Sequence, residues 1–491
     1  MNGSGRASFR DARLLAAALG LAAAALAAQL LFRPIVGLAN EGDFGRVMRP
    51  AGLRYLTDAR DEIYYGHVVR TFAIVPPATA AGGYRTSEIP LARIARLANT
   101  VAFSPTTFDL RFLAVVHAAI LLAALALLIL ATRDLAPAAR WAGAALFVFV
   151  FTDVGYAAAF NSFYPQTASL LFLFLTLGIA GEAVRRGSLR GGWLAAYFFA
   201  AALFVCSKPQ EAIQAPLLAL MGVALSGVRA RGFWRFAAVW LGAALIALAA
   251  WYYRATPRVE VRYVGLFHTY FRELLKHSPD AAADMRELGI PPDLKRYVGM
   301  HAYMPGAPLL DPSFQARFLE VYGFRALLGF YLRHPSRLAD RMARAAPTAF
   351  ALRPPYLGNF EKSTGLPPGA RARRFALWSD ARARLGRHAL VWLGLFFGGN
   401  LLAAGVSFAS ASARGRLFRM AIAACLSIAV VEFLACSFAD ALDDLGRHLY
   451  TFDALCDLVL VADGVWIVQA LSRRRVAAPR DRVTARPASR S

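Results

Sequence analysis

Apolar residues along this chain are gathered into ten stretches of roughly 20 residues or a little less, which polar segments separate. They cover residues 14–32, 110–131, 141–158, 167–184, 193–206, 212–227, 234–253, 389–408, 420–437 and 449–471. A helix of about 20 apolar residues crosses the ~30 Å hydrocarbon core of a bilayer. The pattern therefore predicts an all-α fold, a polytopic transmembrane helical bundle with about ten spans.

The first apolar stretch follows Arg6, Arg10 and Arg13, as the apolar region of a signal peptide would. No cleavage site of small residues followed by a soluble domain comes after it, and further apolar stretches do. The sequence therefore favours a first helix that is retained in the membrane.

Arginine and lysine are distributed unevenly between the two sides of the predicted bundle. The flanks on the side of the N-terminus carry 21 of them, and the short loops on the other side carry two, Lys208 and Arg447. Because cytoplasmic loops are enriched in both residues, both termini are predicted to be cytoplasmic. The predicted domains are an N-terminal bundle (1–253) with an acidic first outer loop (34–108), a long outer segment (254–388), C-terminal membrane helices (389–472) and a basic cytoplasmic tail (473–491).

The long segment (254–388) is mostly polar, and prolines divide it into short pieces. Residues 324–350 alternate apolar side chains with arginines, which predicts an amphipathic helix on the membrane surface. Residues 353–369 are expected to form a mobile loop, which acts as a passive connector or, as the less favoured alternative, as a lid near the membrane.

Composition excludes several classes of protein. Of 491 residues, 58% are hydrophobic and only 18% are charged, and the mean hydropathy is +0.44. These values exclude a soluble enzyme, a fibrous protein and a disordered chain, and the long apolar stretches exclude an outer-membrane barrel. The four cysteines form no CxxC pair, so neither a zinc site nor a disulfide framework is indicated. Without a glycine-rich phosphate-binding motif, the chain is not an ATP-driven pump by itself.

The net charge of +24 comes from arginine, since only four of the 55 basic residues are lysine. Much of this arginine lies at the ends of predicted helices, as the positive-inside rule requires, so nucleic acid is not an expected partner. Arginine in place of lysine, with abundant alanine, glycine and proline, is typical of a GC-rich bacterial genome. The predicted location is therefore the bacterial inner membrane.

Two carboxylates, Glu41 and Asp43, lie in the first loop shortly after the first helix, and one glycine separates them. Gly42 allows the backbone to turn so that both side chains converge, and Arg46 can pair with one of them or with a phosphate. The alternative is an ordinary solvated turn, and the spacing alone does not decide between the two.

Two short turns on the same predicted side carry further polar groups. The turn at 161–166 includes Asn161 and Tyr164, which suit either an interfacial aromatic belt, the commoner case, or a cleft that recognises hydroxyls. The turn at 206–211 includes Lys208 and Gln210. A lysine on this side needs a partner, either the nearby Glu211 or the phosphate of a lipid-linked substrate.

The loop at 438–448 ends in an Arg-His pair, Arg447 and His448, at the beginning of the last apolar stretch. Three aspartates precede the pair, so Arg447 is either held by Asp443 or Asp444 as a structural residue or is available for phosphate. Within the last stretch, Asp457 and Asp463 are predicted to face the interior of the bundle, as intramembrane carboxylates usually do.

These features together resemble the GT-C superfamily of integral membrane glycosyltransferases, which take sugars from polyprenyl-phosphate donors at the outer face of the membrane. Residues 41–43 match the ExD form of the acidic pair that this superfamily carries in its first outer loop. The turns at 161–164 and 207–210 and the residues 444–450 resemble motifs of bacterial hexose-transferring members. The chain lacks the soluble outer domain and WWDYG-type motif of oligosaccharyltransferases, which argues against transfer to protein asparagines.

The resemblance implies a hexosyltransferase whose partners are a polyprenyl-phosphate sugar, a glycan or lipid-linked acceptor and membrane lipids. Such a reaction needs a carboxylate to take the acceptor proton and cations to stabilise the departing phosphate. The expected roles are general base for Asp43, with Glu41 assisting; phosphate binding for Lys208, Arg447 and Arg46, with His448 and Gln210 as weaker candidates; and sugar recognition for Asn161 and Tyr164. A divalent metal at Glu41 and Asp43 stays open, because members of the superfamily differ on this point.

Two other classes of membrane protein compete with this interpretation. A transporter or flippase for a lipid-linked glycan would show polar residues at mid-membrane depth and internal repeats, whereas the polar groups here cluster at one boundary. An O-antigen ligase or polymerase would use arginines of a large outer loop, and the long segment supplies many. The position of the acidic pair favours the glycosyltransferase, and a purely structural membrane partner ranks last.

Overall fold

The computed structural model describes residues 3–78, 83–187, 190–227, 232–408, 413–439, 442 and 445–477. Up to residue 255 the elements are α1 (Gly3–Leu30), α2 (Gly45–Ala51), β1 (Leu53–Arg54), α3 (Arg60–Ile63), β2 (Thr71–Ile74), α4 (Glu88–Ala102), β3 (Thr107–Asp109), α5 (Arg111–Ala131), α6 (Pro137–Phe151), α7 (Val154–Ala157), α8 (Gln166–Arg186), α9 (Gly192–Val205), α10 (Ala215–Gly227) and α11 (Phe233–Ala255). The remaining helices are α12 (Val264–Phe267), α13 (Ala281–Leu288), α14 (Pro312–Phe314), α15 (Phe324–Arg333), α16 (Pro335–Ala345), α17 (Leu377–Leu385), α18 (Ala389–Phe408), α19 (Ala413–Ala439), α20 (Leu445–His448) and α21 (Tyr450–Ala477). The prediction of a helical membrane protein is confirmed.

Each of the ten apolar stretches forms a helix. Within the described residues, seven of these helices are long and apolar enough to cross a membrane, and an eighth crossing results if α6 and the short turns after it form one span with a bend of 54°. Helices α9 and α10 have 14 and 13 residues, which is less than a full crossing needs. The count of ten crossings therefore stays a prediction.

Helix α8 occupies the middle of the bundle, where it packs mainly against α5 and α9. Most of its residues are buried, and its central part, residues 170–180, is apolar on nearly every face. Helix α21 packs mainly against α6 and α19. The ends of these helices that adjoin the first loop (34–108) and the long segment are called the loop-bearing end.

The first loop is folded on this end of the bundle. Its three short strands form an antiparallel sheet in the order β1-β2-β3, with Leu53 opposite Ile74 and Phe72 opposite Phe108. The ring of Phe72 also contacts Phe163, which belongs to the turn between α7 and α8. The sheet thus packs onto a turn of the membrane bundle through buried aromatic rings.

Residues 357–372 pair with the first loop through their backbone. The N–H groups of Gly37 and Ala39 donate to the carbonyl oxygens of Asn359 and Gly358, each at 3.0 Å, and the N–H of Gly358 donates to Tyr65 at 2.8 Å. The Asn359 side chain donates to the Gly37 carbonyl at 2.8 Å. The expectation of a mobile loop over 353–369 is therefore wrong, because much of its backbone is hydrogen-bonded to a buried part of the chain.

The long segment has a hydrophobic core of its own over residues 263–331. Aromatic side chains dominate it, and Phe271, Phe314 and Phe318 lie with their ring centroids 5.0–6.3 Å apart. From Ala345 onward the segment packs on the main core of the bundle instead. The long segment is thus a folded cap and not a series of solvated pieces.

The predicted amphipathic helix over 324–350 is two shorter amphipathic helices, α15 and α16, and its position on a membrane surface stays a prediction. The helix breaks between α15 and α16, because Pro335 disfavours helical backbone at the preceding residue, His334. Arg341 is fully buried and donates to the Ser437 carbonyl oxygen at 2.7 Å. Its guanidinium also lies 6.0 Å from the ring centroid of Tyr331. This arginine therefore ties the cap to α19 and does not face a membrane surface.

A buried arginine joins the cap to the last membrane helix. Arg382 of α17 contacts Asp453 at 2.6 Å and Asp457 at 2.7 Å, and both aspartates lie in α21. The Asp457 carboxylate also accepts hydrogen bonds from Tyr156 and Trp378, at 2.6 and 2.7 Å. The prediction that Asp457 faces the interior is confirmed. Asp463 is partly buried in the same helix and accepts a hydrogen bond from Asn400 at 3.2 Å.

The contact between the first loop and residues 357–372 leaves no room for a side chain at Gly358. A Cβ there would clash with the backbone carbonyl of Gly66, so we expect Gly358→Ala to lower the free energy of unfolding by about 1–3 kcal/mol. The matched control is Gly394→Ala, where a Cβ meets no atom within 4 Å. Thermal unfolding of the purified variants in detergent checks this prediction, and equal midpoints for both would contradict it.

Candidate functional site

The acidic turn of the first loop is shaped by Asn40. Its Oδ1 accepts hydrogen bonds from the N–H groups of Gly42, at 2.8 Å, and Phe44, at 3.2 Å, which is the Asx arrangement that closes a turn locally. Gly42 has φ +130°, a conformation that other residues rarely adopt. Glu41 and Asp43 therefore lie on either side of a fixed turn.

Arg447 contacts both carboxylates of this acidic pair (Glu41 and Asp43). One of its terminal nitrogens lies 2.7 Å from Asp43 Oδ2, and the other forms an ion pair with Glu41. Arg46 contacts the second oxygen of Asp43, also at 2.7 Å. The side chains of Glu41, Asp43 and Arg447 are only 10–17% exposed. The alternative of an ordinary solvated turn is therefore wrong.

Tyr164 lies beneath this ion-pair network. Its hydroxyl donates to the Ala39 carbonyl at 2.9 Å and accepts from the Glu41 N–H at 3.0 Å, while Arg447 lies 5.0 Å above its ring. Burial, and then the negative charge of Glu41, hold the pKa of Tyr164 well above its usual range, although Arg447 opposes them. The phenol therefore stays protonated and supports the acidic turn.

Asn161 is buried in the same turn of the bundle, away from the acidic pair. Its amide donates to the carbonyl oxygens of Leu30, at 3.0 Å, and Val36, at 2.8 Å, and so fixes the chain where it leaves α1. Neither Asn161 nor Tyr164 is exposed, so the structure supports neither the interfacial belt nor the hydroxyl-recognising cleft. Both residues position the first loop.

A second polar group, the glutamine cluster (Gln210, Gln214, Glu432 and His448), lies beside the loop of Arg447. Gln210 donates to Glu432 at 2.5 Å and to the backbone carbonyl of His448 at 3.1 Å, and its Oε1 lies 3.4 Å from His448 Nδ1. Gln214 donates to the other oxygen of Glu432 at 3.0 Å. The cluster therefore fixes the turn at 206–211 against the residues around Arg447.

Glu432 was missed in the sequence, although a signal for it was present. It is fully buried in α19, and a carboxylate inside an apolar stretch such as 420–437 is by default a candidate functional residue. It lies about two turns before the end of α19 at the loop-bearing end. This position places its carboxylate at the level of the turn at 206–211.

Lys208 adjoins the glutamine cluster and is only partly exposed. Within the described ranges of the chain, its ammonium forms no ion pair with a carboxylate, not even with the nearby Glu211. Burial raises the pKa of Glu211 well above its usual range, the neighbouring Glu432 raises it further, and Lys208 opposes both. The Glu211 carboxylate accepts a hydrogen bond from Thr451 at 2.8 Å. Lys208 is thus a cation at the site with capacity for an anionic ligand.

The segment 84–88 links the acidic pair with the turn of Lys208. Arg46 lies 5.3 Å from the ring centroid of Tyr84. Two residues further on, the Thr86 hydroxyl donates to the Ser207 carbonyl at 2.6 Å. Direct contacts thus connect Glu41, Asp43, Arg46 and Arg447. Gln210 and His448, in the glutamine cluster, and the adjoining Lys208 lie next to this group. Asp443 and Asp444, the predicted structural partners of Arg447, lie outside the described residues.

The acidic pair does not have the surroundings of a divalent-metal site. Both carboxylates are neutralised by guanidinium groups, whereas Mg²⁺ and Ca²⁺ take most of their ligands from carboxylate, carbonyl and water oxygens. Among the residues with described positions, no third His, Cys, Asp or Glu joins the pair to form a metal-binding group. The described surroundings of the acidic pair therefore suit arginine and not a divalent metal.

The fold and this site define a polytopic helical membrane protein with a charged site at one end of its bundle. The family model described as "YfdI N-terminal transmembrane domain" matches residues 6–484, so the chain belongs to this family. No curated protein and no solved structure matches the chain.

The ion pairs of Arg447 can be tested by a double-mutant cycle. Arg447→Gln leaves two nearly buried carboxylates with less compensation, so we expect it to lower the free energy of unfolding by about 3–5 kcal/mol. Glu41→Gln should recover part of that loss in the Arg447→Gln background, because it removes one of the uncompensated charges. Thermal unfolding of the four proteins gives the coupling between the two residues.

Arg317→Gln serves as the control for that cycle. The ion pair of Arg317 with Asp293 is about half exposed, so its loss should cost no more than about 1 kcal/mol. Effects of Arg447→Gln and Glu41→Gln that add to within about 0.5 kcal/mol would contradict the ion pair.

Proposed function

We propose that this protein is a GT-C-type glycosyltransferase that moves a hexose from a polyprenyl-phosphate donor to a glycan or lipid-linked acceptor. The observation that carries the proposal is the contact of Arg447 with both carboxylates of the acidic pair. It joins a candidate base and a candidate phosphate-binding cation, which are 404 residues apart in the chain, in one nearly buried site. A transferase of this kind needs both groups next to the same sugar.

In the proposed reaction, Asp43 takes the proton of the acceptor hydroxyl. The acceptor oxygen forms a bond to the anomeric carbon of the sugar, and the bond from that carbon to the phosphate oxygen breaks. The electron pair leaves with the lipid phosphate, whose developing negative charge is stabilised by nearby cations. Glu41 keeps its ion pair with Arg447 and so holds the arginine beside Asp43.

Lys208 is the proposed first contact of the donor phosphate, because no ion pair within the described residues engages it. Arg447 and Arg46 already contact Asp43, so a phosphate that binds them competes with the carboxylate and frees one of its oxygens for the acceptor proton. Charge-assisted hydrogen bonds of this kind are the strong ones. Gln210 and His448 orient the turn that carries Lys208.

The proposed topology has ten spans, both termini in the cytoplasm and the site at the periplasmic face of the bacterial inner membrane. The uneven distribution of arginine supports it. A lipid-linked donor can reach a site at this boundary while its isoprenoid chain stays in the bilayer.

The contacts of the long segment speak against the ligase or polymerase. Several of its arginines are used within the protein: Arg337 pairs with Asp284 at 2.6 Å, Arg333 pairs with Glu287 at 3.0 Å, and Arg341 is fully buried. The positions of Glu432 and Asp457 favour the transferase over the transporter, because both lie near the loop-bearing end, about two turns from the ends of their helices. Asp463, which pairs with Asn400, lies deeper in α21.

The proposal predicts that Asp43→Asn lowers sugar transfer at least about 100-fold, because it removes the general base. The measurement uses purified protein in lipid, a panel of polyprenyl-phosphate sugars, and release of the lipid phosphate as the readout. Asp293→Asn, a change of the same kind at an exposed position of the cap, is the control and should keep wild-type turnover.

Turnover by Asp43→Asn at the wild-type rate would show that Asp43 is not the general base. If no monosaccharide donor is consumed but an oligosaccharide on lipid diphosphate is, the ligase takes the place of the transferase. Folding of each variant is checked by its thermal unfolding midpoint.

A further inference from the structure

A cavity of about 280 Å³ lies in the cap, next to the loop that leads to Arg447. None of the residues that line it belongs to the acidic pair or the glutamine cluster. The residues that line it are Arg272, Glu273, Lys276, His277, Arg344 and Leu442. Three of these six side chains are cationic at neutral pH and one is a carboxylate, so the described lining residues carry more positive than negative charge.

Two of the cations come from different elements and meet at this cavity. Lys276 follows the π-helical turn at His268–Leu274, and Arg344 belongs to α16. Both side chains are exposed, and within the described part of the chain neither is engaged in an ion pair. Other arginines of the cap, such as Arg333 and Arg337, do have carboxylate partners. Lys276 and Arg344 thus bring two positive charges to the cavity, and no carboxylate of the described residues pairs with either of them.

Glu273 supplies a second, independent feature. Its side chain is 4% exposed, and its Oε1 accepts a hydrogen bond from the Leu442 N–H at 2.9 Å. Its Oε2 is buried and has no hydrogen-bond partner, and His277 Nδ1 lies 3.6 Å from it. A buried carboxylate oxygen without a hydrogen bond is costly. A ligand hydroxyl in the cavity would provide the missing donor.

We propose that this cavity binds an acidic saccharide, a sugar that carries a carboxylate or a phosphate. Lys276 and Arg344 contact the anionic group, and Glu273 accepts a hydrogen bond from a sugar hydroxyl. The volume is close to the lower limit of about 300 Å³ for small-molecule sites, which suits one sugar unit. Asp340 and Arg337 stand at the rim of the adjoining space.

The position of the cavity suggests that the saccharide belongs to the acceptor, an extension that rests on the proposed function. Glu273 holds the backbone of Leu442, and Arg447 follows five residues later. A ligand that contacts Glu273 therefore lies against the loop whose arginine contacts the acidic pair.

The binding test uses the full-length protein in lipid and needs no donor. Glucuronic acid, glucose 6-phosphate, glucose and inorganic phosphate are titrated separately by calorimetry. We expect both acidic sugars to bind at least about tenfold more tightly than glucose or phosphate, since only they can use the cations together with Glu273. Their binding should weaken as salt is raised.

The variants are the double substitution Lys276→Gln with Arg344→Gln, and the single substitution Glu273→Gln. The first should weaken binding of both acidic sugars at least about tenfold, and its two positions are exposed, so the fold is expected to survive. Lys295→Gln removes one positive charge from an exposed part of the cap outside the cavity and should leave binding unchanged. Glu273→Gln should weaken binding of the sugars without changing the weak binding of phosphate.

Several results would overturn the proposal. These are no binding of either acidic sugar at millimolar concentration, binding of glucose as tight as that of glucuronic acid, or unchanged affinity in the double variant. Binding of inorganic phosphate as tight as that of glucose 6-phosphate would overturn the assignment of a saccharide.

A second measurement separates this inference from the proposed function. Transfer from the active donor is compared for an acidic and a neutral acceptor, in the wild type and in the double variant. We expect the double variant to raise KM for the acidic acceptor at least about fivefold and to leave the neutral acceptor unchanged. Transfer that depends on Asp43 but is unaffected by the double variant would refute the acceptor assignment alone. Binding that depends on Lys276 and Arg344, in a protein that transfers no sugar, would refute the proposed function alone.

Discussion

The ion pairs of Arg447 are the contact on which the rest of the loop-bearing end depends. The arginine is almost buried, and so are Glu41 and Asp43, so each charge requires the others. The contact joins the first loop (34–108) to the loop at 438–448, and three neighbouring groups support it. The ring of Tyr164 lies under the Arg447 guanidinium, and Asn40 closes the acidic turn with its side-chain hydrogen bonds. Residues 357–372 are hydrogen-bonded to the backbone of Gly37 and Ala39, just before that turn.

Contacts of the membrane helices hold the chain next to both loops. Asn161 holds the chain where it leaves α1, and Arg382 clamps the beginning of α21 to the cap through Asp453 and Asp457. The charged groups of the site differ in whether they are paired. The acidic pair is neutralised by arginine, whereas Lys208 has no ion pair within the described residues and is left to meet an anion. This difference is the physical reason for placing the donor phosphate at Lys208 in the proposed function.

The local pattern of apolar residues predicted the helices, because an apolar stretch of membrane length has few other stable structures. It also revealed the acidic pair and the Arg-His pair as candidates, but not that they touch, since contact between residues 404 apart is not encoded in local spacing. The burial of Asn161 and Tyr164 could not be predicted locally, because an aromatic, amide-rich turn has the same composition whether it lines a cleft or is buried. Residues 353–369 looked like a loop for a similar reason: proline and glycine indicate turns, and only the tertiary fold shows that their backbone is paired.

The most direct test of this account is a cryo-electron microscopy structure of the protein in a lipid nanodisc with polyprenyl phosphate, the product that the proposed reaction releases. The account predicts that the phosphate contacts both Lys208 and Arg447, that Glu41 still pairs with Arg447, and that one oxygen of Asp43 faces the space where an acceptor would enter. A map in which the phosphate binds elsewhere, or in which Arg447 is separated from the acidic pair with and without the lipid, would contradict it.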